Sequence, residues 1–217
     1  MADGGPGSAA DPPFRVVESR RLFRGELVAV RSDRIADPEG QTRQREVVEH
    51  PGAVAALVVD EDGRVLLVDQ WRHATGGRLL EVAAGKYDHL DEEVEETLRR
   101  ELAEEPQVEG GQLTWLASFF TTPGWSDEVC DLYMAEGVHA TAGPPPELDW
   151  EEAGIRVVRV SFEQALDLVS RPPADAKTLI ALGLYGLRRA GMWSPDPAGR
   201  PPPDAPRRRA AARPADR

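Results

Sequence analysis

Between residues 13 and 192 the apolar positions mostly alternate with polar ones or cluster in short runs, which is the pattern of strands. "FRVVESRRLFRGELVAVRSDRIAD" contains two or three short β stretches, and "TRQREVVEH" follows as another. "GAVAALVVD" and "RVLLVDQWR" flank the turn "EDG", so β-rich runs around an Asp-Gly turn predict a hairpin. "RLLEVAAG" reads as one further short strand. "LTWLASFFTT" and "EVCDLYMAEGV" form a second pair joined by "PGWSD", and "IRVVRV" is a last strand. Three segments carry helical spacing. The first covers about Glu93–Glu105. The second is "SFEQALDLVS", where Ser161 and Gln164 have capping-box spacing. The third runs from Asp175, a suitable N-cap, through "AKTLIALGLYGLRRAG" to Gly191. Strands with one helix embedded among them and two at the end predict an α/β or α+β layered domain.

Length and composition add boundaries. A chain of 217 residues suits one domain of ordinary size plus appendages. Residues 1–12 are small, Gly- and Pro-rich and predict a disordered tail; residues 193–217 are Pro- and Arg-rich without periodicity and predict another. Residues 13–49 then form an N-terminal β region, and residues 50–192 the main domain. A net charge of −12 suits divalent cations better than nucleic acid, which attracts basic surfaces. Nothing approaches the roughly 20 apolar residues of a membrane span. The single cysteine, Cys130, excludes an internal disulfide; in "DEVCDLYMA" it alternates with apolar residues and reads as a packed strand cysteine. "MADGGPGSAADPP" has neither the basic start nor the apolar run of a signal peptide. The expectation is a soluble, cytoplasmic protein without nucleic-acid or membrane partners.

The first helix carries the candidate chemistry. At about 100° per residue, Val94, Leu98 and Leu102 form one stripe. Glu101 and Glu105 fall in the same sector, with Glu104 at its edge. Glu95 with Arg99, and Glu96 with Arg100, have the spacing of solvated i,i+4 pairs. An unpaired carboxylate on the packed side is costly or shifts its pKa. A hard cation such as Mg²⁺ or Mn²⁺ removes that cost; a wet helix edge gives the same pattern. Elsewhere, Arg72 ends a strand after Gln70-Trp71, where a guanidinium either forks onto a phosphate or faces solvent. Trp71 either stacks on a base or packs in the strand. The Pro123-Gly124-Trp125 loop ends in Asp127-Glu128 and could carry catalytic groups onto a rigid site. His73, His89 and His139 lack metal-ligand spacing and read as surface or loop residues.

"RRELAEE" resembles the core of the Nudix box, R-E-U-x-E-E with U aliphatic. The box's earlier glutamate is Glu92, eight residues before Arg100. Gly85 precedes Glu92 by seven positions where the box has six, and Gln107 stands where the box has its last glycine. The resemblance implies an α/β/α sandwich around a mixed sheet and Mg²⁺-dependent hydrolysis of a nucleoside diphosphate derivative. It implies that Glu101 and Glu105 ligate metal, that Glu104 ligates or orients, that the Ala84 carbonyl adds a ligand before Gly85, and that Glu92 pairs with Arg100. The flanks "REVVEHPGAVAALVVD", "VLLVDQWRHATGGRLLEVAAGK", "FFTTPGWSDEVCDLYMAEGV" and "DAKTLIAL" resemble ADP-ribose pyrophosphatases, especially the actinobacterial type. That likeness implies Glu128 as general base or metal ligand, with Asp127 as fallback, and Trp125 near the ribose or base. It also implies a homodimer built on the N-terminal strands, from which Arg45 or His50 reaches the base or the partner's site. The expected reaction is hydrolysis of ADP-ribose to AMP and ribose 5-phosphate. The alternatives are another nucleoside diphosphate derivative, such as a nucleotide sugar or dinucleoside polyphosphate, or a catalytically weak ligand sensor.

Overall fold

The computed structural model describes residues 13–87, 93–142 and 154–196. The chain divides into two compact units, Met1–His50 with Thr122–Glu128, and Pro51–Thr121 with Val129–Arg217. The segment 122–128, set by sequence inside the main domain, groups instead with the N-terminal strands. The expected disordered tails lie outside the described residues, apart from 193–196.

The first unit is an antiparallel meander of β1 (Arg15–Arg24), β2 (Ala29–Ala36) and β3 (Thr42–Glu49), in the order β1-β2-β3. Its interior contact is polar. Asp33 on β2 is buried and accepts hydrogen bonds from Ser19 Oγ at 2.6 Å and Arg31 Nε at 2.9 Å. Arg31 also reaches Glu49 at 2.8 Å, so one guanidinium ties β2 to β3. The segment 122–128 joins this sheet at Val48, whose N–H donates to the Trp125 carbonyl at 2.8 Å and whose carbonyl accepts from Asp127 N–H at 3.1 Å. Every residue of β1 is exposed, Val16, Val17, Leu22 and Phe23 included.

The second unit holds a mixed sheet. Its strands are β4 (Ala53–Asp60), β5 (Val65–Arg72), β6 (Gly77–Glu81), β7 (Ala83–Lys86), β8 (Val108–Phe120), β9 (Val129–Ala140) and β10 (Arg156–Val160). The main path is β10-β5-β4-β9-β8, with β9 parallel to β4 and the remaining neighbours antiparallel. The predicted β4–β5 hairpin forms, but its strands pair only at Val58↔Leu66 and Val59↔Val65. Beyond that they part. β6 takes over the end of β5, and β7 takes Ala53 to Ala56 of β4. "RLLEVAAG" is therefore two strands with a corner at Val82, not the single strand its composition suggests. The Val82 N–H, lost to the ladder, donates to Thr178 Oγ1 at 2.8 Å.

Helices cover both faces of this sheet. α1 (Val94–Glu104) buries Leu98 and Leu102 against Val54, Ala56, Val58 and Leu66. α2 (Phe162–Val169) and α3 (Ala176–Arg189) pack Ala165, Val169, Ala181 and Leu182 against the face bearing Ala55, Leu57, Val65 and Leu67. Alternate residues of β4 and β5 thus feed opposite cores, as the two-period of a strand requires. The Ser161–Gln164 capping box starts α2 and Asp175 caps α3, as their spacing predicted. Cys130 is buried in β9. α1 stops before Pro106, and Gln107 has φ +57°, the one non-glycine in the left-handed region among the described residues. This is where the box has its glycine, so the backbone keeps a glycine's conformation without the glycine.

Candidate active site

The acidic residues of α1 sort by helix angle. Glu101 and Glu105 are buried on the side of Leu98 and Leu102, and Glu104 is half-buried beside them. Glu95 is exposed and pairs with Arg99 at 3.0 Å. Arg100 departs from expectation. Its Nη1 donates to Glu101 Oε1 at 2.8 Å and Glu104 Oε2 at 3.1 Å, where Glu96 was the predicted partner. One buried and one half-buried carboxylate attract the guanidinium more than one wet carboxylate does. The expected Glu92–Arg100 contact lies outside the described residues, as does His89.

The β6–β7 corner meets this helix. Ala84 N–H donates to Glu105 Oε2 at 2.9 Å. At Gly85 an added Cβ would stand 1.9 Å from Glu101 Cδ, so no side chain fits between strand and carboxylate. Burial pushes Glu105 up to about 8, and the charges of Glu101 and Glu81 push the same way against the pull of Ala84 N–H and Arg72. Buried carboxylates gathered on one backbone corner raise the cost of one another's charge.

Arg72 is not an idle surface residue. Its Nε and Nη2 fork onto Glu81 at 2.7 and 2.9 Å. Glu81 is almost wholly buried and also receives Lys177 Nζ at 3.2 Å. Burial alone would lower the Lys177 ammonium; Asp175 and Glu81 outweigh it and hold it above its ordinary value. Gln70, two residues before Arg72 on the same face of β5, is buried, and its Nε2 has no hydrogen-bond partner among the described residues. Sequence reasoning missed Glu81, Lys177 and Gln70. A charged residue inside "RLLEVAAG" was the one available signal for Glu81. Trp71 is exposed, which removes the reading of a packed strand aromatic.

In the first unit, Trp125 is more than half exposed. Asp127 is engaged structurally: its Oδ1 accepts from His50 N–H at 3.0 Å, and its Oδ2 lies 3.9 Å from Arg31. Glu128 Oε1 lies 3.7 Å from His50 Nδ1. Arg45 is exposed on β3 and donates to the Gln44 carbonyl at 2.9 Å. His73 and His139 are exposed, as predicted.

Among the described residues no three His, Cys, Asp or Glu side chains stand close enough to hold a metal ion as they are placed. Arg100 and Ala84 N–H between them hold one oxygen of each of three carboxylates: Glu101 Oε1, Glu104 Oε2 and Glu105 Oε2. The donors nevertheless fit a cation. Glu101, Glu104, Glu105 and the Ala84 carbonyl are all hard oxygen ligands suited to Mg²⁺ or Mn²⁺. Gly85 lets the Glu101 carboxylate pack directly on the strand, and a dication would offset the charge that burial makes costly at Glu105.

A mixed sheet between helices, with an R-E-L-A-E-E helix facing a glycine corner, defines a class that comparison identifies. The NUDIX domain family matches residues 49–182. The chain is 35% identical over 177 residues to an ADP-ribose pyrophosphatase of Bacillus subtilis (strain 168), covering 81% of this chain and 94% of that protein. It is 38% identical over 144 residues to an ADP-ribose pyrophosphatase of Mycobacterium tuberculosis (strain ATCC 25618 / H37Rv), covering 66% and 69%. A solved ADP compounds hydrolase superposes with a TM-score of 0.68 at 22% identity, over 86% of this chain and all of that one. The chain belongs to the Nudix family and is a Nudix hydrolase, with ADP-ribose pyrophosphatases among its relatives.

Proposed function

We propose that the chain hydrolyses the pyrophosphate of ADP-ribose to AMP and ribose 5-phosphate with Mg²⁺, Mn²⁺ serving in its place. One observation carries the chemistry: the carboxylates of Glu101 and Glu105 are both buried against the Ala84–Gly85 corner, Glu101 packed on Gly85 and Glu105 on the Ala84 N–H, where a hard cation would offset the cost of their charge. The relatives named ADP-ribose pyrophosphatases support the substrate.

Glu101, Glu104, Glu105 and the Ala84 carbonyl would hold the ion. When bound, it supplies charge neutralisation for the pyrophosphate and a more acidic water. Arg72 keeps its Nη1 edge for a phosphate oxygen while Glu81 grips the other edge. Gly85 seats the Glu101 carboxylate against the strand, so that the backbone of the corner can lie beside the phosphates with no side chain of its own in the way. Glu128 takes the proton of the attacking water. The water oxygen bonds to one phosphorus as the bond from that phosphorus to the bridging oxygen breaks, and the bridging oxygen leaves on the other phosphate. Trp125 stacks on the ribose or base, and Arg45 reaches the base.

Residues 13–49 serve as a dimerisation region and residues 50–192 as the catalytic domain of a cytoplasmic homodimer. The fully exposed β1, with Val16, Val17, Leu22 and Phe23 uncovered, supports a second copy there. The described residues contain no helix long and apolar enough to cross a membrane. Sedimentation of wild type and Phe23→Glu tests the dimer; a wild-type monomer at micromolar concentration would overturn it.

A hydrolysis panel with Mg²⁺ tests the activity: ADP-ribose, GDP-mannose, NADH and a diadenosine polyphosphate. ADP-ribose is expected to be cleaved with the highest kcat/KM, and Glu128→Gln to lose most of that rate. Cleavage of GDP-mannose but not ADP-ribose would overturn the substrate. Tight binding of ADP-ribose without turnover would make the protein a sensor.

A further inference from the structure

The first turn of α3 carries a lysine where the helix dipole disfavours one. Lys177 is the second residue of that helix, yet its side chain is only 20% exposed. Its Nζ lies 2.7 Å from Asp175 Oδ1 and 3.2 Å from Glu81 Oε2. Glu81, 1% exposed, receives Arg72 through the side-on fork. Asp175, Lys177, Glu81 and Arg72 therefore form a row of alternating charge. It starts at the N-cap of α3 and ends at a guanidinium on β5.

Two features of the row matter. Arg72 spends Nε and one N–H of Nη2 on Glu81, and no hydrogen bond from Nη1 is found among the described residues. Glu81 Oε2 is shared between Arg72 and Lys177. Lys177 is itself paired with Asp175, so the row is neutral overall and its effect on Arg72 is one of orientation: Glu81, held from behind by Lys177, fixes the guanidinium side-on with its Nη1 edge outward.

The geometry points to Lys177 as a positioning residue: acting through Glu81, it holds Arg72 side-on so that the Nη1 edge meets a phosphate of a nucleoside diphosphate substrate. This rests on the proposal that Arg72 binds the pyrophosphate. A lysine that only fastened α3 to β6 would leave the same contacts, so the test must separate anchoring from action through Arg72.

The affinity of the full chain for a methylene-bridged analogue of ADP-ribose, which resists hydrolysis at the bridge, is measured by calorimetry. The proteins are wild type, Lys177→Met, Lys177→Arg, Arg72→Ala and the double variant Lys177→Met/Arg72→Ala. Lys177→Met is expected to weaken binding about tenfold, the worth of one charge-assisted hydrogen bond. Lys177→Arg is expected to restore most of it. In the Arg72→Ala background, Lys177→Met should cost nothing further, because its route to the ligand is gone. Equal losses in both backgrounds, or wild-type affinity in Lys177→Met, would overturn the positioning role. If Lys177→Met melts below the assay temperature, Lys177→Ala carries the same cycle, since it removes the donor to Glu81 and leaves room for water beside the carboxylate. Wild type that neither binds the analogue nor cleaves ADP-ribose overturns the proposed function itself. Wild type that does both, beside an unaffected Lys177→Met, overturns the positioning role alone.

Discussion

Replacing Glu105 with glutamine should stabilise the metal-free protein at neutral pH. In the unfolded chain this carboxyl titrates near 4.5, whereas burial beside Glu101 and Glu81 pushes it up to about 8 in the fold. As pH rises through 4.5 the unfolded state releases the proton and the folded state keeps it. Rising pH therefore favours unfolding until about pH 8, where the folded state ionises too and the effect levels off. At about 1.4 kcal/mol per pH unit, the burden is about 3 kcal/mol at pH 7 and about 5 kcal/mol above pH 8. At pH 5 it is under about 1 kcal/mol. Glutamine carries no charge in either state, and its Oε1 can still accept from Ala84 N–H. Urea denaturation at pH 5 and pH 8 in a chelator checks this. Glu105→Gln should match wild type within about 1 kcal/mol at pH 5 and exceed it by several kcal/mol at pH 8. Added Mg²⁺ should then raise wild type more than the variant, because only wild type gains the ligand. A variant less stable than wild type at pH 8, or a difference that does not change with pH, would refute the reasoning.

Three further substitutions probe the corner and the helix ends. Gly85→Ala should lower kcat by about 100-fold with the far-UV circular dichroism unchanged, because a Cβ there displaces the Glu101 carboxylate. Gln107→Gly should raise stability by about 1 kcal/mol in urea denaturation, since φ +57° costs a side-chain-bearing residue and not glycine. Asp175→Ala should cost about 1 to 2 kcal/mol by the same measurement; it removes the cap of α3 and frees Thr178, whose hydroxyl holds the Val82 corner.

The site was legible where chemistry and periodicity lie on one element. Val94, Leu98 and Leu102 mark the packed side of α1, so the angle of each glutamate follows from counting. Arg100 shows the limit of counting: Glu96 and Glu104 are both four residues away, and only the burial of the second, beside Glu101, decides between them. Glu81 was hidden because its neighbours are apolar and its partner Lys177 lies 96 positions along the chain. The corner at Val82 has neither glycine nor proline to announce it. It arises because β4 and β5 part after two residue pairs and because a distant threonine accepts the orphaned N–H. Gln107 was legible as a departure from the family's box, but that the backbone there stays left-handed without a glycine was not.

The most direct test of the central claim counts Mn²⁺ bound to the protein by its EPR signal, in wild type and in Glu101→Gln/Glu105→Gln. If the Ala84–Gly85 corner and α1 form the cation site of a pyrophosphatase, wild type binds Mn²⁺ stoichiometrically, Mg²⁺ competes, and the double variant binds none. Undiminished binding in the double variant would contradict the account.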